Sequence, residues 1–191
     1  MSDGALARHL RAYRRGSDSA ARSLYAALGP KLVRYAASVI GDEDLAQDVV
    51  QGVFCKVLTL PSRQVRAVRD VAAWMTRLVR NEAISMVRST SRAQRRDSAH
   101  VSPASSGGRE EDDRAAGLRQ AIGSLDTSQW EVVILRCGMG LTFDQIADVL
   151  GEPRSTVASR NRAAIDRLRE MLGEETAIHK HRAQNALGCG A

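Results

Sequence analysis

Apolar residues recur at helical spacing along almost the whole of this chain, and nowhere do they alternate as in a strand. Leu6, Leu10 and Tyr13 share one face of a first helix, and Leu45, Val49, Val53 and Val57 share one face of another. Val68, Val71, Ala72, Met75 and Val79 continue the same period over a longer stretch. A helix with one apolar stripe must be covered by other helices, so the pattern predicts an all-α fold. Pro30 is expected to end or kink the helix that begins near Ser19, because proline lacks an N–H and crowds the preceding turn. Pro61-Ser62 is expected to end the helix that contains Cys55.

The period breaks once. Ser98 to Asp113 holds Pro103, several serines, Gly107, Gly108 and the run Glu110-Glu111-Asp112-Asp113. Such a stretch buries too little apolar surface to offset its ordering entropy and reads as a flexible linker. The organisation expected is two small helical domains, 1–96 and 114–172, joined by a linker at 97–113. A tail with few large apolar residues follows at 173–191 and is expected to fray. A length of 191 residues suits two such domains.

The second domain has the sharpest local signals. Leu118, Ala121, Ile122 and Leu125 form one stripe, and Trp130, Val133, Ile134 and Cys137 are expected to face the core. Ser128 with Glu131, and Thr142 with Gln145, have the spacing of capping boxes. Phe143, Ile146, Ala147 and Leu150 follow at helical spacing, then Gly151 and Pro153 stop that helix. A basic helix is expected from about Ser155 to Leu172, with Val157, Ala164, Leu168 and Leu172 inward. A capped helix, a short turn with glycine and a basic helix make a helix-turn-helix. Arg154, Ser155, Thr156, Ser159, Arg160 and Arg162 lie where a recognition helix meets bases and phosphates. The same pattern also serves as a packing module in ordinary helical bundles.

Charge is uneven. Residues 1–40 carry a net +5, residues 66–96 a net +6, and residues 154–172 a net +3. Residues 97–113 carry a net −4. One basic helix is usually a solvated face, but basic segments in separate domains point to a polyanion, either nucleic acid or a membrane surface. Apolar runs such as Val132 to Leu135 are too short to span a bilayer. The first residues lack a signal-peptide pattern, so export is not expected. Cys55, Cys137 and Cys189 are far apart and odd in number, which fits a reducing cytoplasm better than a disulfide framework. Cys55 and Cys137 fall at or beside apolar positions and are expected to be small core residues.

These residues resemble a known family. Leu118 to Leu125, Glu131 to Arg136, Leu141 to Gly151 and Ser155 to Arg160 are similar to the last domain of bacterial extracytoplasmic-function (ECF) sigma factors. Asp42 to Val49 resembles that family's polymerase-binding segment, and Asp70 to Ile84 resembles its promoter-melting helix. The resemblance covers roughly residues 10–172 in the same order. It implies an initiation factor that binds core RNA polymerase and directs it to promoter DNA, with no catalysis of its own. It implies polymerase binding by Asp44, Gln47 and Asp48. It implies contact with the minus-ten element by Arg80, Asn81 and Arg88, and capture of an extruded base by the loop near Ser62 to Ala67, with Arg63 and Arg66 beside the displaced strand. The minus-thirty-five element would be read by 154–162. An anti-sigma factor is the expected regulator, and no small-molecule substrate or direct membrane insertion is expected.

Other chemistry finds little support. No nucleophile–base pair, phosphate loop or zinc motif is present in the sequence, so neither an enzyme nor a cofactor is expected. His179, His181 and Cys189 offer only three ligands for a metal, in a loose tail. Glu110 to Asp113 lacks the rigid surroundings a metal site needs, and Trp74 is expected to be partly core.

Overall fold

The structure, a computed structural model, describes residues 3–97 and 122–187, with side chains over 3–90 and 122–172. The helices are α1 (Asp3–Tyr13), α2 (Asp18–Ile40), α3 (Glu43–Thr59), α4 (Ser62–Arg66) and α5 (Val71–Asp97), then α6 (Thr127–Val133), α7 (Phe143–Leu150) and α8 (Arg154–Leu187). A π-helical turn, Ile134–Gly138, lies between α6 and α7. The fold is all-α, with N-terminal helices and a helix-turn-helix-like succession at the C-terminal end. The linker, Leu118, Ala121 and Cys189 lie outside the described residues, and so do the side chains of His179 and His181.

The helices start where their capping residues stand. Ser17 caps α2 by accepting the Ala20 N–H, and Asp42 caps α3 by accepting the Leu45 N–H at 2.9 Å. Gly41 ends α2 in the left-handed region at φ 83°, where its N–H reaches the Ala37 carbonyl at 2.7 Å. Pro30 does not end α2, which runs through it to Ile40. Leu24, Leu28, Leu32, Tyr35 and Ala36 are all buried on either side of the proline. That burial, at about 1.5–3 kcal/mol per large side chain, holds the helix against the roughly 3 kcal/mol that an interior proline opposes.

The described residues form two compact units. The first gathers α1 to α5 with residues 135–152, which include α7; the second holds α6 and α8. Contact therefore groups α7 with the N-terminal helices, although it follows α6 in the chain. In the first unit α5 packs against α1, α2, α3 and α7. Val71, Met75, Thr76, Val79 and Ala83 are buried along its inner face. Thr76 is the buried polar residue there, and its hydroxyl donates to the Ala72 carbonyl at 2.8 Å. Tyr13 and Tyr25 both set their rings edge-on to Phe54, and the Tyr13 hydroxyl donates to the Phe54 carbonyl at 2.9 Å. Burial holds the Tyr13 phenol above its ordinary range.

In the second unit α6 packs on α8, with Val132, Val157 and Ala164 fully buried. Its capping box is Asp126 with Gln129, not Ser128 with Glu131. Asp126 accepts the N–H groups of Ser128 and Gln129 at 2.9 and 2.8 Å, so the helix begins two residues earlier than Ser128 would start it. The inward residues also differ from the expected set. Val132, Leu135 and Met139 are buried, whereas Trp130, Val133 and Ile134 are half-buried and Cys137 is exposed. A π-helical turn takes more residues per turn than an α-helix, so a stripe drawn with a 3.6-residue period goes out of phase across it. Cys55 is exposed as well, because it stands beside the α3 stripe rather than on it. The last helix continues to Leu187 instead of fraying after Leu172. Residues 173–187 contain no proline and are rich in Ala, Glu, Lys and Arg, which favour helix.

Candidate nucleic-acid interface

The outer face of α5 is a polar stripe. Arg80, Asn81, Ile84, Ser85, Arg88 and Ser89 recur at the period of one helix face and line a groove of about 420 Å³. The buried face of α5 fixes this rotation, since Val79 and Ala83 point fully inward. Asn81 and Arg88 are exposed and Arg80 is half-buried. The sequence-predicted Arg80, Asn81 and Arg88 are therefore brought together.

A second recess lies where α4 meets the start of α5. The segment expected as a loop contains a single turn of helix, α4, closed by Gln64 N–H to the Pro61 carbonyl at 2.9 Å. Val65 anchors it by burial, and Arg63 and Arg66 point outward. Asp70 caps α5 by accepting the Ala73 N–H at 2.8 Å. Between them is a cavity of about 280 Å³ lined by residues 67–70, Ala73, Trp74, Arg77 and Asp148. Trp74 is half-buried, partly core as expected, and it also offers this cavity an aromatic surface. Arg69 and Arg77 were not picked out by sequence reasoning. The signal for Arg77 was present, because it stands three residues after Trp74 and three before Arg80 on one helix.

Acidic residues gather at the start of α3. Asp44, Gln47 and Asp48 are exposed there. Leu45 was expected to face inward but is 42% exposed among them. Ala46, Val49, Val50 and Val53 supply the buried stripe instead, which leaves Leu45 on the acidic face. Farther along, Lys56 pairs with Glu82 of α5 at 3.1 Å, an exposed bridge of little energetic weight.

In the second unit, α8 begins with Arg154, Ser155 and Thr156. Val157 is fully buried and sets the helix rotation. Arg154, Ser155, Ser159 and Arg162 are exposed, while Thr156 and Arg160 are half-buried. The Ser159 hydroxyl donates to the Thr156 carbonyl at 2.9 Å. Asp126 is held below the ordinary carboxylate range, first by the Gln129 N–H and then by Ser128, with a smaller contribution from the charge of Arg160. Arg160 thus lies near the α6 cap. Exposed hydroxyls and guanidinium groups over the first two turns are the groups that bind phosphates and base edges.

Residues 24–93 match Sigma-70 region 2, and residues 121–170 match Sigma-70, region 4. Two helical matches in that order define a transcription initiation factor of the sigma-70 type. The ECF RNA polymerase sigma factor SigK of Mycolicibacterium vanbaalenii is 29% identical over 71% of this chain and 72% of its own length. CarQ of Myxococcus xanthus, also an RNA polymerase sigma factor, is 27% identical over 85% of this chain and 94% of its own. The sigma factor RpoE of Bartonella quintana, solved in complex with the anti-sigma factor NepR, aligns with a TM-score of 0.61 at 26% identity, over 82% of this chain and 98% of that one. CnrH, solved with the cytosolic domain of CnrY, shares the fold with a TM-score of 0.62 at 22% identity, over 89% of this chain and 98% of its own. The chain belongs to the ECF RNA polymerase sigma factor family. It directs core RNA polymerase to promoters and is not itself an enzyme.

Among the described residues, no helix is long and apolar enough to cross a membrane, and no three potential ligands cluster to hold a metal ion.

Proposed function

We propose a division of labour among these surfaces. Asp44, Gln47 and Asp48, with the exposed Leu45 among them, bind core RNA polymerase. An acidic rim around an apolar side chain suits a basic partner surface that also offers an apolar contact. Arg80, Asn81 and Arg88 hold the minus-ten element, with Arg63 and Arg66 beside the displaced strand. The cavity at the α4–α5 junction takes an unstacked base against Trp74. Arg154, Ser155, Thr156, Ser159, Arg160 and Arg162 read the minus-thirty-five element as duplex. In functional terms, residues 1–96 serve core polymerase and the minus-ten element, and 114–172 serve the minus-thirty-five element. Residues 97–113 form the tether and 173–191 the tail. The protein works in the cytoplasm, under an anti-sigma factor.

The observation that carries this reading is the α5 stripe. Two arginines and an asparagine recur on the outer face of a helix whose opposite face is wholly core. A single strand opened beside it would meet positive charge for its phosphates and amide groups for its bases. The test is reconstitution with core polymerase and run-off transcription from genomic fragments. Promoter-specific transcripts are expected from the wild-type chain, and Arg162→Ala is expected to lower promoter affinity and reduce its salt slope by about 0.9. Tight specific duplex binding without polymerase, indifferent to Asp48→Lys, would instead mark a stand-alone DNA-binding regulator.

A further inference from the structure

The turn between α1 and α2 is basic and sits at the same end of the first unit as α4. Arg14 Nη2 donates to the carbonyl of Leu60, the residue that ends α3. Beside it the Tyr13 hydroxyl donates to the Phe54 carbonyl at 2.9 Å. These two bonds pin the end of α1 to the last turns of α3. Arg63 of α4 follows Leu60 by three residues, at most about 10 Å of chain. Arg15 follows Arg14 directly, and the turn fixes its place. Its N–H reaches the Ala12 carbonyl at 3.0 Å, and the next two N–H groups reach the carbonyls of Tyr13 and Ala12 at 2.9 and 3.1 Å. Arg11 lies one turn back on α1, and Arg22 one turn into α2. Arg11, Arg15 and Arg22 are all exposed, as are Arg63 and Arg66. Among the described residues none of those first three takes part in an ion pair. Asp18 is the only acid between residues 4 and 41, and it stands in the first turn of α2, where the helix dipole favours a carboxylate. Arg11, Arg15 and Arg22 all precede residue 24, where the match to Sigma-70 region 2 begins.

We propose that Arg11, Arg15 and Arg22 extend the strand path beyond α4. They hold phosphates of the same single-stranded DNA that passes Arg63 and Arg66. The inference rests on the reading of α4 as a strand-binding element. Exposed cations that no acid of the fold neutralises suit an external polyanion. The pinned corner makes this patch continuous with the α4 arginines, so one strand leaving α4 meets it without a change of partner. Guanidinium groups on a turn and two helices grip phosphates and leave the bases unread. The patch therefore adds affinity for an opened strand of any sequence, beyond the stretch that α5 reads.

The test uses reconstituted holoenzyme and fluorescein-labelled non-template oligonucleotides from a promoter that it transcribes, read by anisotropy at several salt concentrations. One oligonucleotide carries the minus-ten element alone, and two others are lengthened at one end or the other. Each phosphate contact on a single strand contributes roughly 0.7 to the slope of log affinity against log salt. The triple variant Arg11→Ala, Arg15→Ala, Arg22→Ala is expected to lose about 2 from that slope on one of the lengthened strands and to match the wild type on the short one. The triple variant Arg11→Lys, Arg15→Lys, Arg22→Lys is expected to keep the wild-type slope, since lysine meets a phosphate as a point charge. An unchanged slope on both lengthened strands overturns the extension. So does an equal loss on short and long strands, which marks a diffuse field rather than contact. If the lysine variant loses as much as the alanine one, the arginines serve the fold and the extension fails. Weaker assembly with core polymerase at unchanged slope would make the patch a protein face, and overturns it too. Arg63→Ala with Arg66→Ala tests the parent reading on the short strand. No loss of slope there removes the α4 strand site and the extension with it. A loss there, with none from the triple alanine variant on any strand, removes the extension alone.

Discussion

Replacing Arg88 by alanine is expected to loosen the hold on single-stranded DNA while leaving the fold intact. Arg88 is exposed on the outer stripe of α5, opposite the buried Val79 and Ala83. It has no core contact to lose, so the change in folding stability should stay within about 0.5 kcal/mol. Its effect on binding comes through counterions. Each phosphate neutralised on a single strand contributes roughly 0.7 to the slope of log affinity against log salt. Loss of one contact should therefore flatten the slope by about 0.7, so that a fourfold rise in salt weakens the variant about 2.6-fold less than the wild type. Arg63 is exposed on α4, a separate element. If both residues lie along one strand, the double variant should lose about 1.4 from the slope. The assay is anisotropy of a labelled non-template oligonucleotide titrated with reconstituted holoenzyme at several salt concentrations, beside urea denaturation of the free protein. Weaker binding with an unchanged slope would show that Arg88 does not meet a phosphate. A loss of folding stability well above 1 kcal/mol would show that its role is structural.

Met75 is fully buried on α5, and Met75→Ala should cost about 2–5 kcal/mol, read as a lowered urea midpoint with an unchanged m-value. Asp48 is exposed, so Asp48→Lys should leave the melting temperature nearly unmoved while weakening association with core polymerase in a pull-down titration. Asp126 titrates below its ordinary value of 3.8 in the folded chain, so its charge contributes stability that is present above that value and lost as pH falls through the lower folded value. Asp126→Asn keeps an acceptor without the charge. The stability gap between wild type and this variant should be constant from pH 7 to 5 and close in denaturation curves taken below pH 4. A gap that widens on acidification would contradict the assigned cause.

How much of this was legible beforehand depended on how local the cause was. The Thr142–Gln145 capping box, the left-handed Gly151, and the stripe of Val71, Met75 and Val79 all rest on neighbours within one or two turns. So does the shared face of Arg80, Asn81 and Arg88, because helical spacing alone brings them together. Leu45 and Cys55 are different. Each looked inward by spacing or by chemistry, yet each is exposed, because burial is decided by which neighbouring helix covers a face. Pro30 shows the same limit, since packing on both sides of it outweighed a local penalty.

The chain's own order of residues determined that it would be helical, where most helices start, and which side chains share a face. Those outcomes follow from backbone hydrogen bonding and a fixed 3.6-residue period, which need no partner. Tertiary structure alone decided that α7 sits with the N-terminal helices, that Gln145 meets Asp70 across 75 positions of sequence, and that Asp148 joins Arg69, Trp74 and Arg77 around one cavity. Nothing in the period of either helix specifies that meeting. It arises because two apolar stripes far apart in the chain bury each other, and the polar groups at their edges then find whatever partner the packing leaves within reach.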